Sequence, residues 1–166
     1  MLRLDLLGPV ALTDGSNRSR NSDIPGTKPL ALLVYLVLEG AHRPVRRDKV
    51  ATLLWPDAEQ KNARASLSQA LHELKKALGD VVTARGQEEL SVDRARITSD
   101  CFEFQDLATR GQLEEAVACY RGDVAAGLFV KDSVEFDDWL ARQQTSWRDD
   151  YAAVLQKLCD AAIQSN

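Results

Sequence analysis

Asn62, Gln69 and His72 stand on one side of the segment 61–78, KNARASLSQALHELKKAL, together with Lys61, Ala65, Ser68 and Lys76. At about 100° per residue, that side of a helix carries amides, an imidazole, a hydroxyl and ammonium groups, and no large apolar residue. Amides and cations at this spacing are the groups that read base edges in a major groove. Asn62, Ala65, Gln69 and His72 are therefore the candidates for base readout, Ala65 being small enough for close approach and for contact with a thymine methyl. Lys61, Arg64, Lys75 and Lys76 suit phosphate oxygens. A solvated helix has the same polarity, so solvent is an equal reading for His72, and an ion pair with an acid of the preceding segment is an equal reading for Arg64.

These groups need elements to present them. On the opposite side of 61–78, Ala63, Leu67, Ala70, Leu71, Leu74 and Leu78 form a narrow apolar stripe, and Gly79 follows as a cap. The segment 28–39 has Pro29 near its start and Gly40 past its end, and its run LALLVYLVL is apolar nearly all round, as befits the central buried helix of a first domain. In RRDKVATLLWP, Val50, Leu53 and Leu54 recur at helical spacing, with Trp55 as a core anchor and Pro56 as the stop. Arg46, Arg47 and Lys49 crowd that helix start, where backbone N–H groups also favour phosphate. A solvated charge cluster is the competing reading. After Gly79, the stretches 81–84, 90–92 and 96–98 read as short strands around a turn at Gly86. This is the place of a wing, from which Arg85, Arg94 and Arg96 could enter a minor groove, or remain ordinary surface arginines. Ahead of all this, Leu2, Leu4 and Leu6 alternate with Arg3 and Asp5, Val10 and Leu12 follow, and 15–23 is a polar loop. A small N-terminal antiparallel sheet therefore precedes three helices.

Composition narrows the function classes. The chain has 166 residues and a net charge of −4, unevenly divided: residues 1–99 hold 15 Lys+Arg against 12 Asp+Glu, and 100–166 hold 6 against 13. Local basic surface, which the whole-chain charge does not measure, is what phosphate binding requires. Cys101, Cys119 and Cys159 lack metal-ligand spacing and read as reduced core thiols of a cytoplasmic protein. No secretory signal opens the chain, and the nine-residue run 30–38 is far short of the roughly 20 apolar residues that span a bilayer. With only His42 and His72, no nucleophile elbow and no phosphate-cradling glycine loop, no catalytic constellation, metal site or cofactor site can be assembled.

From Asp100 the pattern turns helical. Phe102, Phe104 and Leu107 begin one helix that stops near Gly111, and Leu113, Ala116, Val117 and Tyr120 stripe a second, a pair of tetratricopeptide style. From Ser133 onward, Val134, Phe136, Trp139, Leu140, Trp147, Tyr151, Val154, Leu155 and Leu158 suggest one long helix or two end to end. Its apolar face exceeds what one helix pair covers, which points to a dimer partner or further C-terminal domains.

In this order the segments LRLDLLGPV (2–10), PGTKPLALLVYLVLEG (25–40), RDKVATLLWPD (47–57), NARASLSQALHELKKALG (62–79), LEEAVACYRGDVAAG (113–127) and EFDDWL (135–140) resemble the N-terminal part of a Streptomyces antibiotic regulatory protein (SARP) type activator. The resemblance covers nearly the whole chain. It implies an α+β fold, with an OmpR-like winged helix-turn-helix DNA-binding domain over 1–99 and the start of a helical bacterial transcriptional activation domain over 100–166. It further implies a transcriptional activator that binds direct repeats in double-stranded promoter DNA and contacts RNA polymerase, with recognition helix 61–78 and wing 81–98. Family members often carry arginine where this chain has Lys75, and Glu73 sets an acid on the face proposed for DNA. That acid and the acidic second half motivate the alternative, a protein-interaction module whose winged helix does not bind DNA.

Overall fold

The computed structural model describes residues 1–164. Strand β1 (Leu2–Asp5) lies between β2 (Ala11–Thr13), antiparallel, and β6 (Ile97–Ser99), parallel. Its alternation works as expected for a half-buried strand: Leu2 and Leu4 enter the core, Arg3 and Asp5 turn outward. The polar loop is closed by the side chain of Asn21, which accepts from Leu12 N (2.6 Å) and donates to Val10 O (3.0 Å). Helix α1 (Thr27–Leu38) is the central element, every residue from Ala31 to Val37 being fully buried. Gly40 lies against it so closely that a Cβ there would meet Leu36 O at 2.8 Å, which excludes a larger residue without backbone movement.

Helices α2 (Arg47–Leu54) and α3 (Gln60–Leu78) pack on each other and on α1. The buried residues of α3 are Ala63, Leu67, Ala70 and Leu74, with Leu71 and Leu78 partly buried beside them. Gly79, at φ 78°, ends the helix while its N–H still bonds to Lys75 O at 2.8 Å. A second sheet follows in the order β3 (Val45–Arg46), β5 (Glu89–Val92), β4 (Val82–Arg85), all antiparallel. The β4–β5 hairpin, turning at Gly86, occupies the place of the wing.

Two strands depart from the sequence reading. β3 was not expected, because two residues between Pro44 and a helix carry no alternation to read. The stretch 96–98, expected in the wing, instead crosses to the first sheet. Asp93 causes this by turning the chain, its carboxylate accepting from Ala95 N (2.9 Å) and its carbonyl from Arg96 N (2.9 Å), after which Ile97 is buried beside Leu2. The first sheet is therefore mixed and not purely antiparallel.

The strand-to-helix junction at Ser99 and Asp100 opens the helical part. Ser99 Oγ caps α4 (Asp100–Thr109) by accepting from Cys101 N at 3.3 Å. Asp100, 1% exposed, accepts from Leu6 N (2.7 Å), Leu7 N (3.0 Å) and Arg121 (3.1 Å). Burial raises its carboxyl above the usual range, against the pull of the two amides and the guanidinium. Helix α5 (Leu113–Cys119) packs on α4, and α6 (Val134–Gln164) is one continuous helix of 31 residues, about 46 Å long. Its Trp139 packs at a tilt against the ring of Tyr35 of α1 (centroids 4.8 Å apart, 56° between planes) and donates to Glu39 (3.1 Å), while Ser133 Oγ donates to Leu54 O (2.7 Å). Tyr151 stacks on Tyr120 at 4.3 Å. The β6–α4 junction falls at Ser99 and Asp100, and one hydrophobic core runs unbroken across it. Of the three thiols expected in the core, Cys101 is buried there, Cys119 is partly buried and Cys159 is exposed. The last two residues of the second region, 165–166, lie outside the described residues.

Candidate nucleic-acid interface

The outer face of α3 is open. Lys61, Asn62, Arg64, Ala65, Ser68, Gln69, His72, Lys75 and Lys76 are all exposed, and α4, α5 and α6 leave them uncovered. The reason is local: the apolar stripe is narrow, so burying it against α1 and α2 turns roughly two thirds of the helix circumference to solvent.

The side chains on that face differ in what already holds them. Lys61, Asn62, His72 and Lys76 form no side-chain hydrogen bond or ion pair among the described residues, whereas Gln69 donates to Glu73 at 3.2 Å, one turn on. Lys75 pairs with Asp80 at 2.8 Å, which holds that carboxyl below the usual range. Arg64 places Nε and Nη2 on Asp48 at 2.6 and 2.8 Å, and Nη2 also reaches Glu88 at 3.4 Å. Asp48 is accordingly held below the usual carboxylate range by the guanidinium. Of the two readings of Arg64, the intramolecular pair is the one this geometry contains.

The cations at the start of α2 are divided. Arg46 and Lys49 are exposed, Arg46 lying opposite Glu89 in the β3–β5 ladder. Arg47 is half-buried, its Nε without a hydrogen-bond partner among the described residues, in a cleft of about 110 Å³ with Leu71, Lys75, Gly79, Val82, Ala84 and Leu90. It sits between α3 and the wing sheet because its own N–H is drawn to Glu88 O at 2.8 Å.

Of the three arginines assigned to the wing, Arg85 alone is on the β4–β5 hairpin. Arg94 lies over the ring of Phe102 at 4.3 Å and 3.9 Å from Asp106, and Arg96 pairs with Asp93 at 3.3 Å. Both belong to the turn that leads into β6, since the chain has left the wing by Asp93.

Two neighbourhoods went unread in the sequence. The loop before α1 closes on the C-terminal part of α3: Arg20 donates to Ala77 O at 3.0 Å and pairs with Asp23. Asp23 and Pro25 thereby line a groove of about 600 Å³ with Gln69, His72, Glu73, Lys76 and Ala77. On the wing, Arg85 shares a cleft of about 520 Å³ with His42 and Arg43, residues that sit in a stretch without helical or strand period. The Glu73–Gln69 spacing of four was a readable signal, whereas the approach of the loop was not.

No protein-family model matches the chain, and no curated protein matches it significantly. Among solved structures, the chain is similar to Mycobacterium tuberculosis EmbR in complex with a low affinity phosphopeptide, with a TM-score of 0.63 and 25% identity. The similarity covers 92% of this chain and 43% of that one, so the chain spans less than half of EmbR's length. It supports a SARP-like winged-helix fold for this chain. Among the described residues, no helix is long and apolar enough to cross a membrane.

Proposed function

We propose that the chain binds double-stranded DNA in a sequence-specific way, as part of a transcriptional activator. Helix α3 is the recognition helix and the β4–β5 hairpin the wing. The observation that carries this reading is the uncovered outer face of α3, on which Asn62, Ala65, His72 and Lys76 are exposed beside Lys61. Asn62, Gln69 and His72 read base edges, with Ala65 against the groove floor. Lys61, Lys76, Lys49 and Arg46 bind the flanking phosphates in this reading, and Arg85 enters the adjacent minor groove. Residues 1–99 form the DNA-binding unit, and 100–166 belong to a helical activation domain that supports dimer and RNA polymerase contacts. Selection of bound duplexes from a random pool, followed by anisotropy titrations across salt, tests this. The expected result is an enriched motif repeated head to tail and an affinity falling steeply with salt.

A second reading rests on the acids of the same face. Asp23 and Glu73 line the groove at the C-terminal part of α3, and Glu73 already holds Gln69. In that case the winged helix docks a protein partner. Absence of any retarded duplex at micromolar protein and low salt selects this alternative.

A further inference from the structure

We propose that Arg64 is a positioning residue that ties the tip of the wing to the recognition helix, and not a phosphate ligand; this deepens the DNA-binding reading and rests on it. Three elements meet at its guanidinium: Asp48 in the first turn of α2, Arg64 in α3, and Glu88 at the end of the β4–β5 turn. Nε and Nη2 make the two-pronged pair with Asp48 that a planar fork favours, and Nη2 is shared with Glu88. Only Nη1 is left over. A guanidinium whose Nε and Nη2 are already taken by two carboxylates has its charge compensated inside the protein, so it offers an approaching phosphate little beyond Nη1.

The same residue, Glu88, is held twice. Its carbonyl accepts from Arg47 N at 2.8 Å, and its carboxylate reaches Arg64. The backbone bond anchors the hairpin to the start of α2, and the side-chain pair sets the distance from that anchor to α3. The wing and the recognition helix must sit in adjacent grooves at one spacing, so a loose hairpin weakens binding without removing any contact to DNA. Lysine cannot replace the fork, because a point charge cannot hold both carboxylates in fixed directions.

The whole chain tests this as Arg64→Gln, Arg64→Lys and Asp48→Asn. Amide exchange in the free protein, read at Arg47, whose N–H bonds to Glu88 O, should accelerate severalfold in all three while the amides of α1 keep their protection. On the selected duplex, all three should bind more weakly with the slope of log affinity against log salt unchanged. A phosphate ligand behaves otherwise: Arg64→Gln would flatten that slope by about one unit, Arg64→Lys would retain it, and Asp48→Asn would free the guanidinium and tighten binding. That second pattern, or unchanged exchange at Arg47, overturns the proposal. If wild-type protein binds no duplex, the functional reading falls, and the exchange measurement still decides whether the clamp exists.

Discussion

Charge is handled in opposite ways at Asp100 and at Lys76. Asp100 is 1% exposed and surrounded by donors, two of them backbone amides that no water can reach. Lys76 is exposed and has no ion-pair partner among the described residues. A buried carboxylate survives only where its lone pairs are taken up, so the junction between β1 and α4 has to be complete before anything binds. An exposed ammonium in the last turn of a helix adds only a few tenths of a kcal/mol to about 1 kcal/mol to folding and has no partner to give up, which leaves it available to an outside anion. The contrast separates groups that assemble the chain from groups that await a partner. Arg64 belongs to the first kind although it stands among the second.

Replacing Asp100 by Ala should break the comparison most severely. It strands Leu6 N–H and Leu7 N–H and leaves Arg121 half-paired, costing about 3–5 kcal/mol of unfolding free energy by urea titration. The pH dependence follows from the raised carboxyl. The folded state takes up the proton more readily than the unfolded chain, so this group's contribution favours folding below the usual carboxylate range and is lost as pH rises through the raised value. Wild type should therefore lose stability relative to Asp100→Asn over that window, and parallel curves would contradict the assignment.

On the other side of the comparison the expected effects concern DNA, not folding. Gln69→Ala should cost roughly 1–3 kcal/mol at one base position and relax preference there, measured by anisotropy on single-base variants of the selected site. Lys76→Ala should weaken cognate and random duplex alike and lower the salt slope by about one unit. Smallest is Glu73→Gln. It removes an acid from the groove and frees Gln69 from its partner, so affinity should rise a few-fold, and a loss would indicate that the Glu73–Gln69 pair orients the amide for its base.

Much of the scaffold could be read from periodicity. The apolar stripe of α3 and the all-round apolar run of α1 depend only on local spacing and burial, and the same residues fill the core. The register of β6 could not be read that way. Ile97 looks alike in either sheet, and its choice of β1 depends on a turn at Asp93 and on space beside Leu2. The candidate face was legible as a set of residues but not as a set of commitments. Gln69–Glu73 follows from a spacing of four, whereas Arg64–Asp48 joins residues 16 apart through the crossing of two helices. Arg94 over Phe102 depends on a tertiary stacking that no local pattern announces.

The most direct measurement is a backbone-amide NMR titration of the chain with a duplex selected from a random pool. The account predicts shift changes concentrated on the outer face of α3, from Lys61 to Lys76, and at Arg85 and Gly86 of the wing, with α6 unmoved. Changes centred on α6, or no binding at low salt, would contradict it.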